Sequence, residues 1–236
     1  VRPHRETMSP RPTRLAPMQS SSEPLVTEVG VFVAFEGGEG SGKSTQSRLL
    51  ADWLQAGGYC ALLTREPGGT QVGSALRSIL LDPATGELSP RTEALIYAAD
   101  KAEHVDTMIL PALADGQVVI TDRYVDSTLA YQGAGRDLLL SELEPLARWA
   151  TADLRPHLTV VLDVDPRIGL GRAGEPDRIE REPLAFHERV RQHFLDLAAA
   201  DTAHYLVIDA DGEPEEIHAL VQSAITPWLQ QAKAAN

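Results

Sequence analysis

At 236 residues with 43% hydrophobic side chains, the chain is long enough for one well-buried α/β domain and too short for two comfortable ones. A formal charge of −13 excludes the broad basic face that a nucleic-acid or anionic-membrane binder needs, and no apolar run approaches the ~20 residues of a bilayer span. The lone cysteine, Cys60, cannot staple a fold, which suits a reducing cytoplasm; within "YCALLT" it is expected as a small core side chain. Residues 1–28 carry five prolines and no hydrophobic period, which predicts a disordered tail without a secretory core or a transit helix. A single domain is expected over 29–231. It opens on the buried strand "VGVFVAF", followed by a helix from Lys43 to Ala56 that stops at Gly57-Gly58. "YCALLT" is a second strand leading into a Pro-Gly-Gly loop. Helical spacing runs through Val72–Leu81 and again from about Arg91 to Ala114. "QVVIT", "LTVVLDV" and "HYLVID" are further strands, with helices near Leu184–Ala200 and Pro214–Gln231. Continuous apolar strands separated by helices predict a five-stranded parallel sheet covered on both faces. Ligands of such sheets bind beyond the carboxyl ends of the strands, where Glu36, Arg65, Asp122 and Asp163 fall.

The stretch "FEGGEGSGKST" places Gly37, Gly38, Glu39, Gly40, Ser41, Gly42, Lys43, Ser44 and Thr45 between a strand and a helix, with P-loop spacing. The glycines let successive backbone N–H groups converge on one anion, and the helix adds the positive end of its dipole. Lys43 is expected on the outer phosphates of ATP. Ser44 is expected on Mg2+, with Asp122 at the end of the third strand as its acidic partner. The chain has three lysines, Lys43, Lys101 and Lys233, against eighteen arginines, so each lysine invites a reason. His187 and His193 do not form a zinc-binding spacing and are given no metal.

Arg65, Arg77 and Arg123 lie at or near strand ends, where they can surround a second anion; arginine's planar fork pairs with phosphate oxygens. Four motifs occur in a fixed order: Glu39 inside the cradle, "TREPGGT" with "ALRSILL" following, "LIYAADKAEH", and "DRYVDSTLAYQG". Together they resemble the bacterial thymidylate kinases, P-loop kinases of nucleoside monophosphates, over residues 31 to 229. The resemblance implies transfer of the γ-phosphoryl of ATP to dTMP. It places Arg123, Arg65 and Arg77 near the acceptor's phosphate, with Glu66 and Pro67 in the same loop. By the same likeness Tyr97 stacks on the base, and Thr128 and Gln132 bond its edge. Tyr131 crowds the 2′-carbon of the sugar, and Glu39 holds the 3′-hydroxyl. Lys101 stands where the family commonly has an arginine for the base's 4-oxo group, so the fork is replaced by a point donor. A homodimer is implied as well.

Some members of the family carry an arginine where this chain has Gly40, and those lacking it supply arginines from a mobile lid. The lid is expected over residues 171–182, "GRAGEPDRIERE", with Arg178 first and Arg172 second as the arginine facing the transferring phosphoryl group. No general base is needed, because the acceptor is itself a phosphate monoester with a second pKa near 6. A kinase for another nucleoside monophosphate is the alternative within the class; an adenylate-type enzyme would carry proline in the cradle and lacks "TREPGGT". A GTP-dependent switch would show an Asn-Lys-x-Asp guanine reader, which is absent. A non-catalytic ATP sensor stays open at this level.

Overall fold

The run VFVAFE, Val31–Glu36, is buried at every position, which requires cover on both faces. The computed structural model describes residues 30–172 and 175–235; the tail expected over residues 1–28 lies outside them. In chain order the elements are β1 (Val31–Glu36), α1 (Lys43–Ala56), β2 (Ala61–Arg65), α2 (Gln71–Leu81), α3 (Pro90–His104), α4 (Leu110–Ala114) and β3 (Val118–Asp122). They continue with α5 (Val125–Thr128), α6 (Leu140–Ala150), β4 (Leu158–Asp163), α7 (Pro166–Arg172), α8 (Leu184–Ala200), β5 (Tyr205–Asp209) and α9 (Pro214–Ala235). The five strands are all parallel, in the order β2-β3-β1-β4-β5.

Alternation within the apolar strands divides the core. Val31, Val33 and Phe35 pack with Leu50 and Leu54 of α1 and with Val221, Ile225 and Leu229 of α9. Phe32 and Ala34 face the other way, against Ala94 of α3, Val105, Ile109, Leu113 and Tyr124. A third cluster joins Tyr131 to Phe186, Val190 and Phe194 of α8. Register aligns the carboxyl ends: Asp122 lies opposite both Phe35 and Arg65, and Asp163 opposite Asp209. The ends of β2 and β3 thereby bring Arg65 and Asp122 to one crevice beside the loop that follows β1.

Two expectations need correction. Cys60 is exposed, because it precedes β2, an edge strand whose own residues are only partly buried. The helix expected from about Arg91 to Ala114 is broken by a π-turn at Val105–Ile109. Pro111 has no N–H for the i−4 carbonyl, so the turn before it cannot stay regular. A second π-turn, Leu129–Gly135, follows α5 and carries Tyr131 and Gln132. Such turns recur at functional sites.

Candidate active site

The cradle is built from backbone. Gly37, Gly40 and Gly42 all adopt positive φ, and α1 begins immediately after Gly42. At Gly40 the requirement is doubled: φ is +62°, and a Cβ there would lie 2.0 Å from the carbonyl oxygen of Gly169 in α7. Position 40 is thus closed to any side chain while α7 holds its place. The Lys43 ammonium folds back over the loop, donating to the carbonyls of Gly38 (2.6 Å) and Gly37 (3.2 Å) and to Ser41 Oγ (3.3 Å). Burial and the neighbouring Arg123 lower its pKa to about 8, against the pull of Glu39 and Asp122. The Ser44 hydroxyl donates to Asp122 Oδ2 at 2.5 Å, so a hydroxyl and a carboxylate already meet at the mouth of the cradle.

The facing cavity is built from side chains of several elements. Glu39, Glu66, Pro67, Arg77, Tyr97, Lys101, Arg123, Thr128, Tyr131 and Gln132 all line it. Arg65 does not; it borders the donor cleft, together with Arg77, which touches both spaces. Four lining residues were not singled out as site residues, although each falls within a stretch quoted above: Leu81, Ser127, Asp177 and Ile179. The last two come from the segment expected as a lid, whose Ile179 is buried against the third core cluster. Thr128 Oγ1 is buried and without a hydrogen-bond partner among the described residues, a polar atom left for a ligand.

Arg123 joins the two spaces. It is a non-glycine residue at φ 72°, held there by its neighbours, since Glu36 accepts from Tyr124 N (2.8 Å), Ser127 N (3.1 Å) and Ser127 Oγ (2.6 Å). Burial and Asp126 push the Glu36 carboxyl well above the usual carboxylate range, while Ser127 and Arg123 oppose them. From that anchor the Arg123 guanidinium donates to Gly37 O (3.1 Å), Ser127 Oγ (3.2 Å) and Glu39 Oε1 (2.8 Å), and it lies over the Tyr131 ring. Tyr131 Oη donates to the same Glu39 oxygen at 2.8 Å. Burial alone would raise Glu39, but Arg123 and Lys43 bring it down to about 2.

The "TREPGGT" loop is fastened from below by α3. Glu66 forms an ion pair with Lys101 Nζ and a hydrogen bond with His104 Nδ1, both at 2.8 Å, and His104 Nε2 meets Thr64 Oγ1 at 2.7 Å. Asp100 accepts from Gly68 N at 3.0 Å. Lys101 therefore reaches the cavity wall with its charge balanced by Glu66, a partner that spacing alone did not reveal.

The two lid arginines diverge. Arg172 lies over the cradle, donating to Gly40 O (3.4 Å), Ala210 O (3.2 Å) and Asp211 Oδ1 (2.8 Å), and lines the donor cleft. Arg178, expected there first, lines neither space. It donates to Leu80 O at 2.6 Å and to Glu93, a fully buried carboxylate of α3 that also binds Arg136 and Gln132. A buried carboxylate needs cationic partners, and that demand draws Arg178 away from the phosphates. Glu93, Tyr97 and Lys101 follow i, i+4, i+8 spacing, a signal from which Glu93 was legible.

A P-loop with a second, arginine-bearing site across the same crevice is the arrangement of a nucleotide kinase, which brings two phosphates face to face. The family model for thymidylate kinase matches residues 35–221, and the chain belongs to that family. It is 52% identical to a thymidylate kinase of Cutibacterium acnes over 202 residues, 86% of this chain and 99% of that one. To a thymidylate kinase of Deinococcus radiodurans it is 48% identical over 200 residues, 84% and 97% of the two chains. Among solved structures, the thymidylate kinase of Ehrlichia chaffeensis superposes with a TM-score of 0.70 at 33% identity, covering 84% of this chain and 98% of that one. Among the described residues, no helix is long and apolar enough to cross a membrane.

Proposed function

We propose that the chain transfers the γ-phosphoryl group of ATP to dTMP, giving dTDP and ADP. The observation that carries this reading is the arginine-lined cavity across from the P-loop, with the aromatic Tyr97 and the unpartnered Thr128 hydroxyl in its wall. A phosphate oxygen of dTMP attacks the γ-phosphorus as the bond to the β–γ bridging oxygen breaks, and ADP leaves. The acceptor arrives mostly dianionic, so alignment and charge neutralisation suffice.

Lys43 is assigned to the outer phosphates: among the described residues its ammonium has only loop carbonyls and a hydroxyl as hydrogen-bond partners, weaker than a phosphate, and an arriving polyanion strengthens the hold on the proton that burial loosens. Arg123 is assigned to the dTMP phosphate, with Arg77, which lines both spaces, beside it and Arg65 on the donor-cleft side of the crevice. Glu39 would take the sugar's 3′-hydroxyl, with Tyr131 against the 2′-carbon. Tyr97 would stack on the base, and Thr128, Gln132 and Lys101 would bond its edge, with Glu66 and Pro67 shaping the wall. For the transferring phosphoryl we reverse the order of the lid arginines: Arg172 is already over Gly40, whereas Arg178 is held by Glu93. The lid, expected over residues 171–182, is supported by Asp177 and Ile179 in the acceptor cavity wall and by Arg172 in the donor cleft.

Mg2+ fits the hard oxygen pair of Ser44 and Asp122, because that ion keeps most of its waters and takes one or two protein oxygens beside the phosphates. When bound it would neutralise charge on the β- and γ-phosphates. A homodimer is supported by Leu95 and Leu139, exposed beside an apolar groove between α3 and α6, and sedimentation would test it. A cytoplasmic enzyme is consistent with the single exposed thiol. The test of the activity is ADP release over a panel of nucleoside monophosphates. Release that depends on dTMP is expected; release independent of any acceptor, or preferring another monophosphate, would overturn the reading.

A further inference from the structure

Beneath the acceptor cavity lies a carboxylate that does not line it. Glu93 is fully buried, and four donors surround its two oxygens. Arg136 binds through Nε (3.1 Å, Oε1) and Nη2 (3.2 Å, Oε2), Arg178 through Nη2 to Oε2, and Gln132 through Nε2 to Oε1 at 2.9 Å. Burial alone would raise its pKa, but these donors hold it below the ordinary value. Arg136 is fixed in turn by Glu182 and by the face of Phe186.

An acceptor-only carboxylate decides the orientation of its amide neighbour. Turning the Gln132 amide over would set its carbonyl oxygen against a carboxylate oxygen with no proton between them. The nitrogen must face Glu93, and the atom left for the cavity is the carbonyl oxygen. A wall that offers an acceptor complements a base whose ring nitrogen carries hydrogen, as N3 of thymine does. It repels cytosine, whose N3 is an acceptor. We propose that Glu93 is a positioning residue for base selection, setting Gln132 so that the cavity takes a 4-oxo pyrimidine and rejects a 4-amino one. The inference rests on the acceptor-cavity reading and deepens it. Glu93 touches no substrate; it acts through Gln132.

The test compares kcat/KM for dTMP and for 5-methyl-dCMP, which differ only at the 4-substituent and the N3 proton. In Glu93→Gln the partner can accept or donate, Gln132 is free to turn, and the dTMP preference should fall by roughly 10-fold. Most of the change should lie in KM for the monophosphate, with KM for ATP unmoved. Glu93→Asp keeps a carboxylate at shorter reach and should retain more of the preference. In a Gln132→Leu background, adding Glu93→Gln should shift the preference no further. A folded Glu93→Gln enzyme that loses rate equally on both substrates, or that adds its full effect to Gln132→Leu, would make Glu93 a packing residue and overturn the inference. Should Glu93→Gln not fold, Glu93→Asp decides: an unchanged preference overturns the inference and a reduced one supports it. A wild type without dTMP preference would overturn the acceptor reading as well, which separates the two failures.

Discussion

The donor and acceptor sites proposed for this chain share one crevice and are built by opposite means. The cradle comes from nine consecutive residues, Gly37 to Thr45, and its working groups are mainly backbone N–H donors placed by positive-φ glycines. The acceptor cavity draws on the loop after β2, on α2, α3, α5, a π-turn and the segment near Ile179, and its working groups are side chains. Backbone recognition tolerates any triphosphate, since it reads only charge and spacing. Side-chain recognition can choose a base, but it needs buried charges balanced at each point, as at Glu66 and Glu93. Generality is local in sequence here, and selectivity is tertiary.

Breaking the donor side should cost most. Lys43→Met is expected to reduce turnover by about 10³-fold, from loss of charge on the transferring phosphoryl, in a protein that melts like wild type. Among the described residues its ammonium bonds only to its own loop, so little else depends on it. An active, folded variant would remove the donor assignment.

The lid arginines sharpen the contrast. Arg172→Ala should slow single-turnover transfer by roughly 10²-fold, as expected for a transition-state arginine. Arg178→Ala should leave that step within about threefold and act instead on dTMP affinity, because it belongs to the Glu93 cluster. The reverse ranking would mean that Arg178 leaves Glu93 when ATP binds.

Arg123→Ala tests whether the bridging residue serves one side or both. We expect dTMP affinity to fall about 10-fold or more while ATP affinity changes little, both read by calorimetry on the folded variant. Equal losses would assign the guanidinium to the cradle, through its bond to Gly37 O.

The most gradual effect is in pH. The free enzyme's Lys43 loses its proton near pH 8, so kcat/KM for ATP should decline above that value, approaching tenfold per unit. Bound phosphates raise the lysine's pKa again, and kcat at saturation should stay level to higher pH. Identical profiles for the two constants would show that the lysine is not on the phosphates. Stability should respond at the other end. Glu39 sits at about 2 in the folded state against an ordinary 4.5, so its contribution is present above pH 4.5 and is lost as pH falls towards 2.

Local sequence determined the strands, the helix register from Lys43 to Ala56 and the whole cradle, because each depends on neighbours within one or two turns. The motif likeness placed ten of the eleven expected acceptor residues in one cavity, with Arg65 turned to the other side of the crevice. It could not show what lies behind that wall. Lys101 was readable as a departure, but its pairing with Glu66 arises only when β2 and α3 pack. Gly40 was readable as a missing arginine, yet the reason no side chain fits is a carbonyl from Gly169, far along the chain. Arg178 and Arg172 look alike in a charged stretch, and Cys60 looks buried in an apolar one. Which arginine meets the cradle depends on where the buried Glu93 lies, and the exposure of Cys60 on β2 being an edge strand. Hydrophobic period and turn chemistry act over a few residues, whereas the balancing of buried charge and the closure of a crevice act between elements that only the folded chain brings together.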